Sequence, residues 1–323
     1  MNRLIRLAAT TVAAAAVLAA HAADPYPSRP IRMVIAFPAG GPTDVNARHF
    51  ARAIGDQLGQ PVIVENKPGA GGNLASDIVA TAPADGYTIL YNTSSLVLGA
   101  MLYKSAKTDP IKDFVPVVRT AGVPLVVTVN ASLPAHNMRE FVALAKKQPG
   151  KLNYASSGTG TIDHLAGALI AHQLGIDITH IPYKGTAPAL TELVGGNTQL
   201  MVTTLNTVLP FIRDKKLVPL AIASQQRSPL LPDVPTLTEA TGLGKLELTA
   251  WNGIVAPAGT PAEVITKLNT AVNNAIKRKD FVETLTAMGA ETYGGTAAAY
   301  GAFLQTEQTR WKAVTQQAGI VPQ

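Results

Sequence analysis

Residues 31–44, IRMVIAFPAGGPTD, decide the fold class of this chain. Ile31 to Phe37 is rich in β-branched and bulky apolar residues and lacks a helical period, so it reads as a buried strand. Pro38 stops it. Gly40 and Gly41 allow a tight turn, Pro42 suits the first turn of a helix, and Asp44 or Thr43 can cap exposed amides there. Ala47, Phe50, Ala51, Ile54 and Leu58 then recur at helical spacing. Strand, glycine turn and helix leave unpaired N–H groups at a helix N-terminus, where an anion can bind. A purely structural strand-to-helix connection is the alternative.

The same logic returns at Leu152 to Leu165, LNYASSGTGTIDHL. Leu152 to Ser156 is strand-like, Ser157 to Thr161 is a turn of Gly, Ser and Thr, and Ile162, Leu165, Ala166 and Leu169 begin a helical period. Hydroxyl donors here join the backbone amides. Between and beyond these units, strands are expected at Val62–Glu65, Tyr87–Tyr91, Leu125–Val129, Ile178–Tyr183, Gln199–Thr203, Leu217–Ala223 and Leu248–Ala256. Helices are expected near Leu74–Ala80, Met138–Lys147, Pro188–Val194, after Pro261 and over Thr296–Gln317. This alternation is the signature of parallel α/β sheets covered on both faces. Pro110 to Pro124, with three prolines, reads as a passage between domains. Two α/β lobes with crossings near residues 124 and 246 place both glycine turns beside one cleft, at the carboxyl ends of strands. The glycine-rich turn Gly69 to Gly72 has neither phosphate-loop nor dinucleotide spacing and reads as structural.

The 323 residues are 47% hydrophobic, 15% charged and 5% aromatic, so two globular domains with aliphatic cores are expected. The absence of cysteine excludes disulfides, thiol nucleophiles and thiolate metal sites. A net charge of +6 is spread without a basic run, which argues against nucleic acid as partner. Arg3 and Arg6, the apolar stretch Leu7 to Ala20 and the small residues of Ala20-His21-Ala22 read as a cleavable export leader over residues 1–22. That stretch is shorter than the ~20 residues needed to span a bilayer.

No GxSxG elbow, HExxH pair or SxxK with KTG occurs, so hydrolase chemistry lacks its nucleophile or metal. His49, His136, His164, His172 and His180 are isolated, and no metal or cofactor is expected. A Rossmann oxidoreductase would need a dinucleotide fingerprint that is missing. His164, near a helix start, reads either as a ligand-facing group or as a structural hydrogen-bond partner. Asp44 reads as a cap, as a site residue, or as both.

The runs AFPAGGPTDVNAR, VIVENKPGAGG, PADGYTIL, KLNYASSGTGTIDHLAG, IPYKGTAPAL, LPDVPTLTEA and WNGIVAPAGTPAEVITKLN resemble, in order, the Bug family. These are the extracytoplasmic solute receptors of tripartite tricarboxylate transporters. The resemblance implies a two-lobed type II periplasmic binding protein, a Venus flytrap with two mixed sheets joined by a two-crossing hinge. It implies lobe 1 at 23–123 and 246–323, lobe 2 at 124–245, and a periplasmic monomer that takes a small carboxylate to membrane transporter subunits. No catalysis is implied; a carboxylate sensor or a secreted hydrolase are the alternatives. The candidate ligand residues are Phe37, Ala39, Gly40, Gly41, Thr43 and Asp44 of the first turn, and Ser94 of the polar tip Asn92 to Ser95. Ser157, Thr159, Thr161 and His164 of the second turn and Thr203 complete the set.

The chain departs from the family pattern at two places. Val202-Thr203-Thr204 stands where Phe-Asp-Asn is common, and Asn252 follows Trp251 where an aromatic is usual. Threonine removes a charge that would pair with a ligand amine, so a dicarboxylate, aliphatic or aromatic, is expected ahead of an amino acid. Thr203 facing its own core is the alternative.

Overall fold

Ile31–Ile35 forms the expected strand, β1, and Pro42–Leu58 the expected helix, α1, in a computed structural model that describes residues 25–244, 248–287, 289–317 and 320. The leader expected at 1–22 lies outside the described residues. Pro42 begins α1, whose missing N–H is unneeded there, and Gly59 ends it in the left-handed region at φ 71°. Next come β2 (Val62–Asn66), a 3-10 turn at Ala70–Gly72, α2 (Asn73–Ala80), β3 (Thr88–Thr93), α3 (Ser95–Leu102) and β4 (Phe114–Asn130). The chain continues through α4 (Met138–Lys147), β5 (Asn153–Ser156), α5 (Ile162–Leu174), β6 (Thr179–Pro182), α6 (Thr186–Val194), β7 (Leu200–Thr204), α7 (Leu205–Arg213), β8 (Leu217–Ile222) and α8 (Leu237–Thr241). It closes with β9 (Thr249–Pro257), α9 (Ala262–Ala275), α10 (Lys279–Ala287), β10 (Glu291–Gly294) and α11 (Ala297–Gln317).

The strands run in the order β2-β1-β3-β9-β4-β7-β5-β6, with β8 and β10 also on β4. In one half, β1 is parallel to β2 and β3, and β9 is antiparallel to β3 and β4. In the other, β5 is parallel to β6 and β7, while β7 and β8 run antiparallel to β4. Both halves are therefore mixed, and both hang on β4. The expected passage at Pro110–Pro124 is corrected here: from Phe114 onward it is one strand of 17 residues. Pro124 pairs with Thr249 of β9, and the next residue, Leu125, pairs with Thr204 of β7. Pro116 sits where the register against β9 shifts. The two prolines stand where the ladder is irregular or changes partner, positions at which a missing N–H is tolerated.

The core is aliphatic with a few aromatic anchors. Phe50 of α1 meets Phe281 edge-on at 5.0 Å and Tyr91 at 6.0 Å. Helix α11 ties the sheet together through Glu307, whose Oε2 accepts from the indole N–H of both Trp251 (2.8 Å) and Trp311 (3.0 Å). Its Tyr300 hydroxyl shares hydrogen bonds with Asn92 at 2.8 and 3.2 Å, directly over Gly253 of β9. Among the described residues no helix is long and apolar enough to cross a membrane.

Candidate ligand-binding cleft

The carboxyl ends of β1, β3, β5 and β7 open on one cleft, whose empty space with its solvent-open mouth included is ≈ 780 Å³. Each of these strands feeds a turn or helix at the cleft, so helix N-termini converge there. Gly41, Pro42 and Thr43 begin α1, Ser94 and Ser95 begin α3, and Thr161 to Asp163 begin α5. Thr186 to Pro188 begin α6, and Thr204 and Asn206 begin α7. None of the five N-cap residues makes a side-chain cap bond, as is also true of α2 and α9 outside the cleft. At α3, however, the Ser95 N–H donates to Thr93 Oγ1 at 3.1 Å. Helices α4 and α8 are capped by Asn137 and Thr236. Exposed amide donors at such termini attract anions. Among the described residues no Lys, Arg or His lines the cleft.

Both glycine turns contribute to this one cavity. Phe37, Ala39, Gly41, Thr43, Ser94, Ser157, Thr161 and Thr203 line it. Four other candidates stand elsewhere. Gly40, at φ 80°, makes the turn itself and borders a shallower outer hollow. Its N–H donates to Asp44 Oδ2 at 3.0 Å, so that amide is already used. Asp44 is buried behind the turn; it does not cap α1 through its side chain. Thr159 borders the neighbouring cavity with Gly71 and Tyr103. His164 is buried behind the second turn, where Nδ1 accepts from the Gly160 N–H at 3.3 Å and the ring stacks on His180 at 4.0 Å. Of the two readings of His164, the structural hydrogen bond is the one the geometry supports. Burial pushes its pKa down to about 4.

Asp44 holds the first turn in shape. Its carboxylate accepts from Arg48 Nε at 2.9 Å, from the Gly40 N–H and from Asn66 Nδ2 at 3.0 Å. Burial alone would raise its pKa, but the bonds from Arg48, Gly40 and Asn66 outweigh that and hold it below the ordinary value. Asp44→Ala should therefore lower stability by ~1–3 kcal/mol near neutral pH, the usual result of unpairing a buried network. A folded pKa below the unfolded one contributes stability above the ordinary carboxylate range, lost as pH falls through the folded value. Thermal melts of wild type and Asp44→Ala should thus converge in acid; a gap that stays constant would refute this account.

Several lining residues were not singled out from sequence: Asn46, Thr186, Asn206 and Asp163; Asn252, noted there only as a departure from the family pattern, lines the cleft as well. Asn46 Oδ1 and Asn206 Oδ1 are buried without a hydrogen-bond partner, although buried polar atoms are almost always paired. Asp163, two residues past the α5 cap Thr161, is buried against the cleft. It accepts from the Ser157 N–H at 3.4 Å, and the hydroxyls of Ser157 and Thr203 favour its charged form. Thr203 thus faces the cleft, on the side of Asp163. The signal that could have found Asp163 was an acidic residue at the start of a helix that follows a glycine turn.

The halves also touch beside the cleft. Tyr103, just after α3, donates to the Thr159 carbonyl at 3.1 Å. Glycines permit the approach: a Cβ at Gly71 would lie 2.6 Å from the Thr159 oxygen, and one at Gly185 3.2 Å from Pro38.

The family model for the tripartite tricarboxylate transporter family receptor matches residues 46–320. BugT of Bordetella pertussis (strain Tohama I) is 38% identical over 321 residues, covering 99% of this chain and 98% of its own length. Among solved structures, an R. palustris protein with adipate is similar at TM-score 0.89 and 34% identity, covering 92% of this chain and 100% of that one. The periplasmic binding protein BugD gives 0.86 at 36% identity, with 92% and 100% covered. MatC from Rhodopseudomonas palustris with bound malate gives 0.83 at 33% identity, with 90% and 99% covered.

Proposed function

The chain belongs to the tripartite tricarboxylate transporter receptor family, and from that premise we propose that it captures a small organic carboxylate outside the cytoplasm and delivers it to a tripartite tricarboxylate-type membrane transporter. Its fold is that of a two-lobed periplasmic binding protein. The observation that carries the reading is the convergence of five helix N-termini on a cleft that, among the described residues, no cationic side chain lines. Such a site recognises an anion through main-chain amides and neutral donors. Adipate and malate on two similar proteins put dicarboxylates first among the candidate ligands, with aromatic ones in the same panel. The ligand residues of this reading are Phe37, Ala39, Gly41, Thr43, Ser94, Ser157, Thr161 and Thr203. Gly40, Asp44, Thr159 and His164 shape the turns that carry them.

In this proposal residues 1–22 are a leader that directs a monomer to the periplasm. Residues 23–123 and 246–323 form the first lobe and 124–245 the second. The change of partners between Pro124 and Leu125 on β4 supports the first boundary. Titration calorimetry over aliphatic and aromatic mono- and dicarboxylates, with a parallel search for chemical change of whatever binds, tests the reading. Micromolar binding without turnover is expected; turnover of a bound carboxylate would replace the receptor with an enzyme. Receptors of this architecture close around ligand by hinge motion. Small-angle scattering should accordingly report a smaller radius of gyration on saturation. An unchanged radius with a tight ligand would count against the clamp.

A further inference from the structure

At the second-lobe end of the cleft the chain supplies its own anion. Asp163 is 4% exposed and sits in the first turn of α5, where a ligand carboxylate would otherwise meet the helix N-terminus. Among the described residues it is the one ionisable side chain lining the cleft. Asn46 of α1 and Asn206 of α7 also line the cleft, each with a buried Oδ1 that has no hydrogen-bond partner. An ionised carboxylate only accepts, so it asks for a hydrogen-bond donor on the ligand.

The neighbouring titratable groups do not offset this charge. On the same helix His164 is pushed down to about 4, and on β6 His180 is pushed down to about 3, in both cases by burial first. Tyr154 of β5 is raised by burial and stays neutral. Strand β7 contributes Thr203 and the turn before α5 contributes Ser157, both hydroxyls. Lys184 is exposed in the adjoining cavity and does not line this one.

We propose that Asp163 makes this end of the cleft a donor-selective site, so that a dicarboxylate is captured with one proton shared between its distal carboxylate and Asp163. The proposal rests on the carboxylate-receptor reading above. Two carboxylates in contact cannot both stay ionised. Free receptor, dianionic ligand and one proton from solvent combine to give an O–H···O⁻ pair in the complex. A ligand that ends in a hydroxyl donates to Asp163 directly and takes up no proton. Burial raises the Asp163 carboxyl to about 6, opposed by Ser157 and Thr203, so its charge is present at neutral pH. Uptake of one proton weakens dicarboxylate binding by up to ~10-fold per pH unit above about pH 6.

The test is calorimetry at pH 6 and pH 8 with adipate, succinate and terephthalate, each paired with its analogue in which one carboxylate is replaced by a hydroxymethyl group. Wild type should bind at least one dicarboxylate ~10-fold or more tighter at pH 6, while its hydroxy partner changes by less than about twofold. Repeating the titration in buffers of different ionisation enthalpy should give about one proton taken up near pH 7.5. Asp163→Asn should remove the pH dependence; should that variant fail to fold, the proton count on wild type decides. Dicarboxylates that bind equally at both pH values, or not at all while hydroxy acids bind, overturn the proposal alone. Failure of the whole series at both pH values overturns the carboxylate reading as well.

Discussion

Replacing Gly41 by valine is expected to weaken carboxylate binding by ~10- to 100-fold or more, with little change in stability, because one or more charge-assisted hydrogen bonds of roughly 1.5–3 kcal/mol each are lost. Gly41 precedes α1 with φ −77° and ψ 168°, a conformation open to any residue. A Cβ there would meet nothing closer than the Pro38 carbonyl at 3.5 Å, an ordinary contact. The backbone therefore accepts the substitution. Gly41 lines the cleft, and in the proposed binding mode the added methyl groups would stand between the ligand and the amides at the start of α1. Gly41→Ala, smaller by two methyls, should lose less. Calorimetry and thermal melts on both variants check this. Wild-type affinity in Gly41→Val would move the carboxylate away from the first turn, and a large fall in melting temperature would make the effect structural.

The second large effect lies far from any ligand contact. Gly253→Ala is expected to destabilise the fold by about 3 kcal/mol or more, at the upper end of overpacking. The new Cβ would lie 2.1 Å from the Tyr300 hydroxyl oxygen and 2.3 Å from its Cζ. Tyr300 is 2% exposed and held by Asn92, so the ring cannot swing aside without breaking both bonds to that residue. Gly253 pairs with Asn92 on β3 and Arg119 on β4, so strain there reaches three strands. Urea unfolding measures the loss. A change below about 1 kcal/mol would show that the aromatic layer is softer than its burial implies.

Local chemistry made the first unit legible. Pro38, Gly40, Gly41 and Pro42 act through their own backbones, and the turn between β1 and α1 falls where they put it. The second turn was legible for the same reason. What was not legible depends on distant partners. The prolines at 116 and 124 signal a break, yet β9 and β7 pair the segment into one strand on either side of Pro124. Helix α3, SLVLGAML, is apolar on nearly every side because it is buried all round, so it shows no amphipathic period. Helix α7 carries Pro210 inside it, which masks a helical reading. Helix α10 and strand β10 were not read either, and Ile63 and Leu74 remain exposed although both are large and apolar.

The same distinction governs the site. That two turns should face one cleft follows from strand order, but Asp163 reads as a helix-start residue until Thr203, forty positions later, is seen beside it at the cleft. Threonine at 203 removes a carboxylate from one strand, while Asp163 supplies one from the helix beside it. The expectation drawn from the substitution alone therefore concerned only one of two neighbouring groups.

The return of β9 to the first half has a consequence for how the chain assembles. Strand β4 cannot gain its β9 partner until residues 249–257 exist, more than a hundred positions later, whereas β4 to β8 lie within one unbroken run ending at Ile222. Closing that long loop is entropically slow. The second half can condense from contiguous sequence while β3 keeps an open edge, and the first half is completed only when the C-terminal segment docks. Its unfinished edge is the surface that must be shielded from other chains in the meantime.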